Sequence, residues 1–130
     1  MTNAQQLDIV IVGAGIAGSA LALALAGSGY SIGIVEPQPL ERRPLPQDAG
    51  PGDFDARVSA LTPHSVDLLR GLDAWSDIEA YRHCAYTHMT VWDAEGTGRI
   101  EFDSADLDAP ALGHIVENRA IVDALLARLL

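Results

Sequence analysis

The stretch from Asp8 to Glu36, DIVIVGAGIAGSALALALAGSGYSIGIVE, constrains the fold more than any other part of the chain. Between its flanking acids it carries no charge. It opens on β-branched residues, Ile9 to Val12, and then meets Gly13, Gly15 and Gly18 in G-x-G-x-x-G spacing. An Ala/Leu-rich segment follows, then Gly27 and Gly29, then a second apolar run, Ile32 to Val35, closed by Glu36. A buried parallel strand is covered on both faces, so it reads as continuously apolar rather than alternating. Leu7 to Val12 fits, apart from Asp8. Leu21, Leu23 and Leu25 alternate with Ala20, Ala22, Ala24 and Ala26, a pattern that alone suits a strand. Alanine and leucine are strong helix formers, however, and Gly27 and Gly29 supply a stop signal. The reading is therefore strand, glycine turn, helix, strand: an α/β fold built on a Rossmann-like βαβ unit that binds a dinucleotide.

Each residue type has a physical task in such a unit. Gly13 turns the chain sharply out of the strand. Gly15 lacks a Cβ and lets a pyrophosphate approach the backbone. Gly18 lets the helix lie close to the strand. The first helical turn leaves backbone N–H groups unpaired at the positive end of the helix dipole, and a pyrophosphate satisfies both. Gly13, Gly15, Ile16, Ala17 and Gly18 are accordingly the expected cofactor-binding positions of this turn. Glu36 lies 18 residues beyond Gly18. A carboxylate there accepts from a ribose 2′-hydroxyl and repels a 2′-phosphate, which disfavours NADP at this site and leaves FAD and NAD.

Two other readings of the stretch compete. It has the length and apolarity of a transmembrane span, but it contains several glycines and no Lys or Arg flanks it. A signal peptide needs a positively charged start, and Met1 to Leu7 has no positive charge.

The 130 residues suffice for one modest domain. With 18 acidic against 8 basic side chains the formal charge is −10, which argues against nucleic acid as a partner. The acids are spread along the chain and read as a solvated surface. The single cysteine, Cys84, excludes an internal disulfide and fits a reducing, cytoplasmic setting.

Beyond Glu36 the chain departs from a simple NAD-binding domain. Pro37 to Gly52 holds five of the seven prolines and reads as a long surface loop where a helix and third strand would be expected. Within Phe54 to Leu61, Arg57 is either paired with Asp53 or Asp55 or in contact with the cofactor. Thr62-Pro63 starts a helix with an apolar stripe of Val66, Leu68, Leu69 and Leu72. Ala74 to Cys84 predicts a second short helix packed through Trp75, Ile78 and Tyr81. Tyr86 to Asp93 and Arg99 to Asp103 flank a turn, Glu95 to Gly98, and predict a β-hairpin. His83, Cys84 and His88 match no zinc spacing, so no metal site is expected. After an acidic loop, Ser104 to Leu112, Gly113 to Glu117 is a short strand or turn. Asn118 is the expected N-cap of a final helix, Arg119 to Leu130, so apolar on most faces that it must be buried. Its end, without capping glycine or polar tail, reads as a cut inside a larger domain.

Taken together, DIVIVGAGIAGSALALAL, RVSALTPHSVDLLRGLDAW, MTVWDAEGTGRIEFD and LGHIVENRAIVDALL resemble the N-terminal part of the ubiquinone-biosynthesis aromatic hydroxylases. These are flavin monooxygenases of the 4-hydroxybenzoate-hydroxylase type, and the resemblance is greatest to the 2-octaprenylphenol hydroxylase branch. It implies FAD held on Gly13, Gly15 and Gly18, with Glu36 on the adenosine ribose. It implies that Arg57 lies near the flavin or its pyrophosphate and that Arg119 reaches the FAD phosphates. Residues 1–130 would then form an incomplete FAD-binding domain, because the family continues into a second flavin motif and a substrate-covering sheet.

In that family NAD(P)H reduces the flavin, and the reduced flavin uses O₂ to place a hydroxyl group on an electron-rich aromatic ring. The resemblance thus implies a polyprenylated phenol and O₂ as substrates, and peripheral association with the inner membrane or with a ubiquinone-biosynthesis complex. That chemistry is the cofactor's, so no catalytic residue is assigned in this chain. The residues alone also admit another FAD- or NAD-dependent oxidoreductase, or a non-catalytic nucleotide-binding fragment.

Overall fold

The computed structural model describes residues 6–47, 50 and 52–130. Met1 to Gln5, most of the uncharged start Met1 to Leu7, lie outside the described residues, as do Asp48, Ala49 and Pro51 of the proline-rich stretch.

The opening stretch folds as expected. Strand β1 (Ile9–Val12), helix α1 (Ile16–Leu25) and strand β2 (Ile32–Val35) form a βαβ unit. The two strands are parallel, with Ile9 opposite Ile32 and Val12 opposite Val35. Gly13 has φ +94°, a left-handed conformation that L side chains rarely adopt. A Cβ on Gly18 would come within 1.9 Å of the Gly13 carbonyl oxygen, so this glycine sets how closely α1 approaches the turn. Helix α1 stops at Leu25, and Gly27 and Gly29 follow with φ +82° and +88°. Being ten residues long, α1 does not span a membrane, and among the described residues no helix is long and apolar enough to do so.

A second sheet follows the proline-rich loop, which has no regular secondary structure among its described residues. Strand β3 (Val58–Leu61) leads into α2 (Pro63–Gly71), capped as expected by Thr62, whose hydroxyl accepts from the Ser65 N–H at 3.3 Å. Helix α3 (Trp75–Tyr81) is shorter than the predicted Ala74 to Cys84. Arg82 is already extended, and Cys84 pairs with Ile115 in strand β4 (Cys84–Tyr86), because the central strand draws the chain into a sheet. That central strand is β7 (Gly113–Glu117), antiparallel to both neighbours in the order β3-β7-β4. The predicted hairpin is β5 (His88–Trp92) with β6 (Arg99–Asp103), closed by an Asp93 N–H bond to the Gly98 carbonyl.

Helix α4 (Asn118–Leu129) starts one residue before the predicted position. Glu117 stands at its N-cap, and Asn118 lies within the helix. The Asn118 side-chain oxygen Oδ1 instead accepts from the Ser59 hydroxyl at 2.6 Å, a bond to β3 that competes with capping. The burial expected of this helix is realised. Ala120, Ile121, Ala124 and Leu125 join Val66 and Leu69 of α2, Trp75 and Ile78 of α3 and Val116 of β7 in one core. Ile16, Ala20 and Leu23 of α1 pack against the same cluster, so α4 joins the βαβ unit to the antiparallel sheet. Leu68 faces out of the stripe predicted for α2 and is half exposed.

Gly18→Ala is expected to lower unfolding stability by about 1–3 kcal/mol, the cost of overpacking against backbone that cannot yield. Gly71→Ala, where a Cβ meets nothing, is expected to raise it by about 0.4–1 kcal/mol. Urea midpoints of the two variants check both signs.

Candidate nucleotide site

The glycine turn, the proline-rich loop and the start of α4 enclose a cleft of about 730 Å³. Gly15 and Ile16 line one side, Glu36 and Arg43 another, and Arg57 and Arg119 a third. The sequence-predicted residues Gly15, Ile16, Glu36, Arg57 and Arg119 are therefore brought to one place. Gly13, Ala17 and Gly18 shape the turn behind it.

The turn is held from within. The Gly13 N–H donates to the Val35 carbonyl at 2.8 Å, and the buried Ser19 hydroxyl donates to the Ala14 carbonyl at 2.9 Å. A Cβ on Gly15 would meet no atom within 4 Å, so its face toward the cleft is open. The first bond of α1 runs from the Ser19 N–H to the Gly15 carbonyl, leaving the N–H groups of Ile16, Ala17 and Gly18 without helical partners.

Glu36 has two bonds that its spacing could not reveal. Its Oε2 accepts from the Ala14 N–H at 2.8 Å, and its Oε1 accepts from the Gln38 N–H at 3.1 Å. The carboxylate therefore braces the glycine turn, and each oxygen keeps a lone pair for a further donor. The Ala14 and then the Gln38 N–H hold this carboxyl below its ordinary pKa, so it is ionised at neutral pH.

Neither alternative for Arg57 as an ion-paired residue is realised. Its backbone N–H donates to Asp55 Oδ1 at 2.9 Å and its carbonyl accepts from the Asn118 N–H at 2.9 Å. Among the described residues its guanidinium makes no salt bridge, nor does that of Arg43. Arg43 was not singled out from the sequence. Its signal was the adjacent basic pair Arg42-Arg43 in the proline-rich run, which periodicity does not interpret. Arg42 turns the other way and grips Asp123 of α4 through two bonds, at 3.0 and 2.7 Å, fastening the loop to the helix.

Arg119 is held by Glu117, whose Oε2 accepts from its Nε at 2.7 Å and from the Asp55 N–H at 2.9 Å. Glu117 Oε1 pairs with Arg82, whose guanidinium stacks over the Phe54 ring at 4.1 Å. Burial would raise the Glu117 carboxyl, but the Asp55 N–H, Arg82 and Arg119 outweigh it and hold its pKa below the ordinary value.

The residues weighed for a metal do not converge. His83 stacks with Trp75 and His114, at ring separations of 5.5 and 5.0 Å. His88 pairs with Asp103 on the hairpin at 2.6 Å.

No protein-family model matches the chain. Among curated proteins, it is 41% identical over 125 residues to 3-demethoxyubiquinol 3-hydroxylase of Escherichia coli, covering 96% of this chain and 30% of that protein. It is 36% identical over 130 residues to the human mitochondrial ubiquinone biosynthesis monooxygenase COQ6, covering 94% of this chain and 26% of that protein. The chain thus spans about a third or less of the relatives it matches, and over most of its own length it is homologous to hydroxylases and monooxygenases named for ubiquinone. Its fold recurs in solved structures. Pseudomonas putida p-nitrophenol 4-monooxygenase PnpA superposes with a TM-score of 0.58 at 18% identity, over 93% of this chain and 28% of that one. Pseudomonas aeruginosa PqsL superposes with a TM-score of 0.64 at 17% identity, over 96% of this chain and 31% of that one.

Glu36 and Glu117 both have folded pKa values below the unfolded one, so the stability they add is complete above the ordinary glutamate value of about 4.3. It is lost as pH falls through their lowered folded values. Unfolding free energy measured by urea titration is expected to drop in that acid window, and Glu36→Gln is expected to make the drop shallower.

Proposed function

We infer that this chain forms the FAD-binding part, residues 1–130, of an NAD(P)H- and O₂-dependent flavin monooxygenase that hydroxylates a polyprenylated phenol in ubiquinone biosynthesis. The observation that carries this reading is the meeting, in one cleft, of an open glycine face, first-turn N–H groups without helical partners, the ionised Glu36, Arg119, and two arginines, Arg43 and Arg57, that make no salt bridge among the described residues. Positive charge and directed N–H groups suit a diphosphate, and the acid suits a ribose without a 2′-phosphate. Ile16, Ala17, Arg57 and Arg119 would hold the diphosphate, and Glu36 the ribose. The homology to ubiquinone hydroxylases supports the flavin reading over a simple NAD dehydrogenase.

When bound, the flavin supplies the redox chemistry that activates O₂ toward an aromatic ring. The residues of this chain bind and orient its adenosine diphosphate half. No side chain here is assigned an acid–base role. The lipid-borne substrate is the ground for expecting peripheral association with the inner membrane.

Calorimetric titration of the chain with nucleotides tests this reading. ADP and FAD are expected to bind, with FAD no weaker than NAD, and riboflavin is expected not to bind because it lacks the diphosphate and adenosine. NAD bound more tightly than FAD would overturn the flavin assignment. Glu36→Arg is expected to weaken FAD binding by about tenfold or more, the scale of a lost hydrogen bond to a charged group, whereas Glu95→Arg on the hairpin turn leaves it unchanged.

A further inference from the structure

We propose that Glu117 is the positioning residue of the cleft, a buried carboxylate that presents Arg119 to the diphosphate, and fixes the main chain from which Arg57 enters the cleft, without touching the ligand. The proposal rests on the nucleotide reading above. Glu117 is 4% exposed and does not line the cleft, whereas both arginines do. A single oxygen, Oε2, takes the Arg119 Nε–H directly and also takes the Asp55 N–H, while Asp55 Oδ1 takes the backbone N–H of Arg57, so the carboxylate fixes the Arg119 side chain and the main chain at Arg57. The other oxygen pairs with Arg82, whose stacking on Phe54 holds the same 53–55 segment from behind.

The remaining bonds of Arg119 agree with this task. Its Nη2 donates to the Asp53 carbonyl and, at 3.4 Å, to the Tyr81 hydroxyl. Among the described residues its Nη1 has no partner. An arginine side chain is otherwise flexible, and fixing it beforehand removes an ordering cost from anion binding. The Asn118 N–H bond to the Arg57 carbonyl closes the loop, so the Arg119 side chain and the Arg57 main chain belong to one hydrogen-bonded ring around Glu117. A neutral amide cannot replace the carboxylate. Its NH₂ group would face one of the guanidinium donors and leave that donor unpaired in a buried place.

The discriminating measurement compares ADP with adenosine, which has the ribose and base but no diphosphate. Both are titrated into the native chain, Glu117→Gln and Glu117→Asp, with binding followed by NMR chemical shifts. Glu117→Gln is expected to weaken ADP by about tenfold, the scale of one hydrogen bond between charged groups, and adenosine by less than about twofold. Glu117→Asp, which keeps the charge, is expected to recover part of the ADP affinity. Equal ADP affinity in the native chain and Glu117→Gln overturns the proposal, and so does an equal loss for ADP and adenosine. Should Glu117→Gln fail to fold, the Arg119 Nε–H resonance of the native chain decides. It is expected to shift with ADP and not with adenosine, and an unmoved resonance overturns the proposal. A native chain that binds neither ADP nor FAD overturns the nucleotide reading itself, an outcome distinct from a native chain that binds both with Glu117 irrelevant.

Discussion

Helix α4 has apolar side chains around most of its circumference, and the rest of the chain is arranged to keep water from them. Strand β7 delivers it, α2 and α3 cover it on one side, and α1 covers it on another. Burying aliphatic side chains on several faces of one helix is worth more than any polar contact in this chain, at about 1.5–3 kcal/mol for each fully buried residue. The same arrangement decides where polar groups can go. The first turn of α4 emerges beside the glycine turn of the βαβ unit, and Asp123 emerges beside the proline-rich loop.

The cleft is therefore a by-product of packing. The α1–α4 contact brings two segments about a hundred residues apart in sequence to opposite walls of one cavity. Three carboxylates then fix what the packing leaves loose. Glu36 ties the second strand to the glycine turn, Asp123 ties the loop to α4, and Glu117 ties α3, the 53–57 segment and α4 together. In a chain with formal charge −10, the acids nearest the cleft are largely occupied by N–H groups and arginines. Among the described residues, Arg43 and Arg57 make no salt bridge.

The two sheets divide the labour. The parallel pair β1–β2 presents the glycine turn, and the antiparallel sheet positions Arg57 and Arg119 through the ends of β3 and β7. The hairpin β5–β6 takes no part in the cleft. Its pairs alternate between an apolar face, Met89 with Phe102 and Val91 with Ile100, and a polar one, His88 with Asp103 and Thr90 with Glu101.

The sequence by itself determined the local structure. The βαβ unit, the Thr62 cap, the hairpin and the burial of α4 all follow from local signals within single stretches of the chain, where propensity, periodicity and glycine geometry act. It also marked Gly15, Glu36 and Arg57 through spacing and resemblance. Only the tertiary structure decided that Cys84 leaves its helix for β4, that Asn118 bonds to Ser59 rather than capping α4, and that Glu36 braces Ala14. Only the tertiary structure also drew Arg43 into the cleft and put Glu117 behind two arginines. The physical reason is common to these cases. Each is a hydrogen bond or a shared cavity between residues distant in the chain, and partners of that kind are chosen by packing, which no local pattern records.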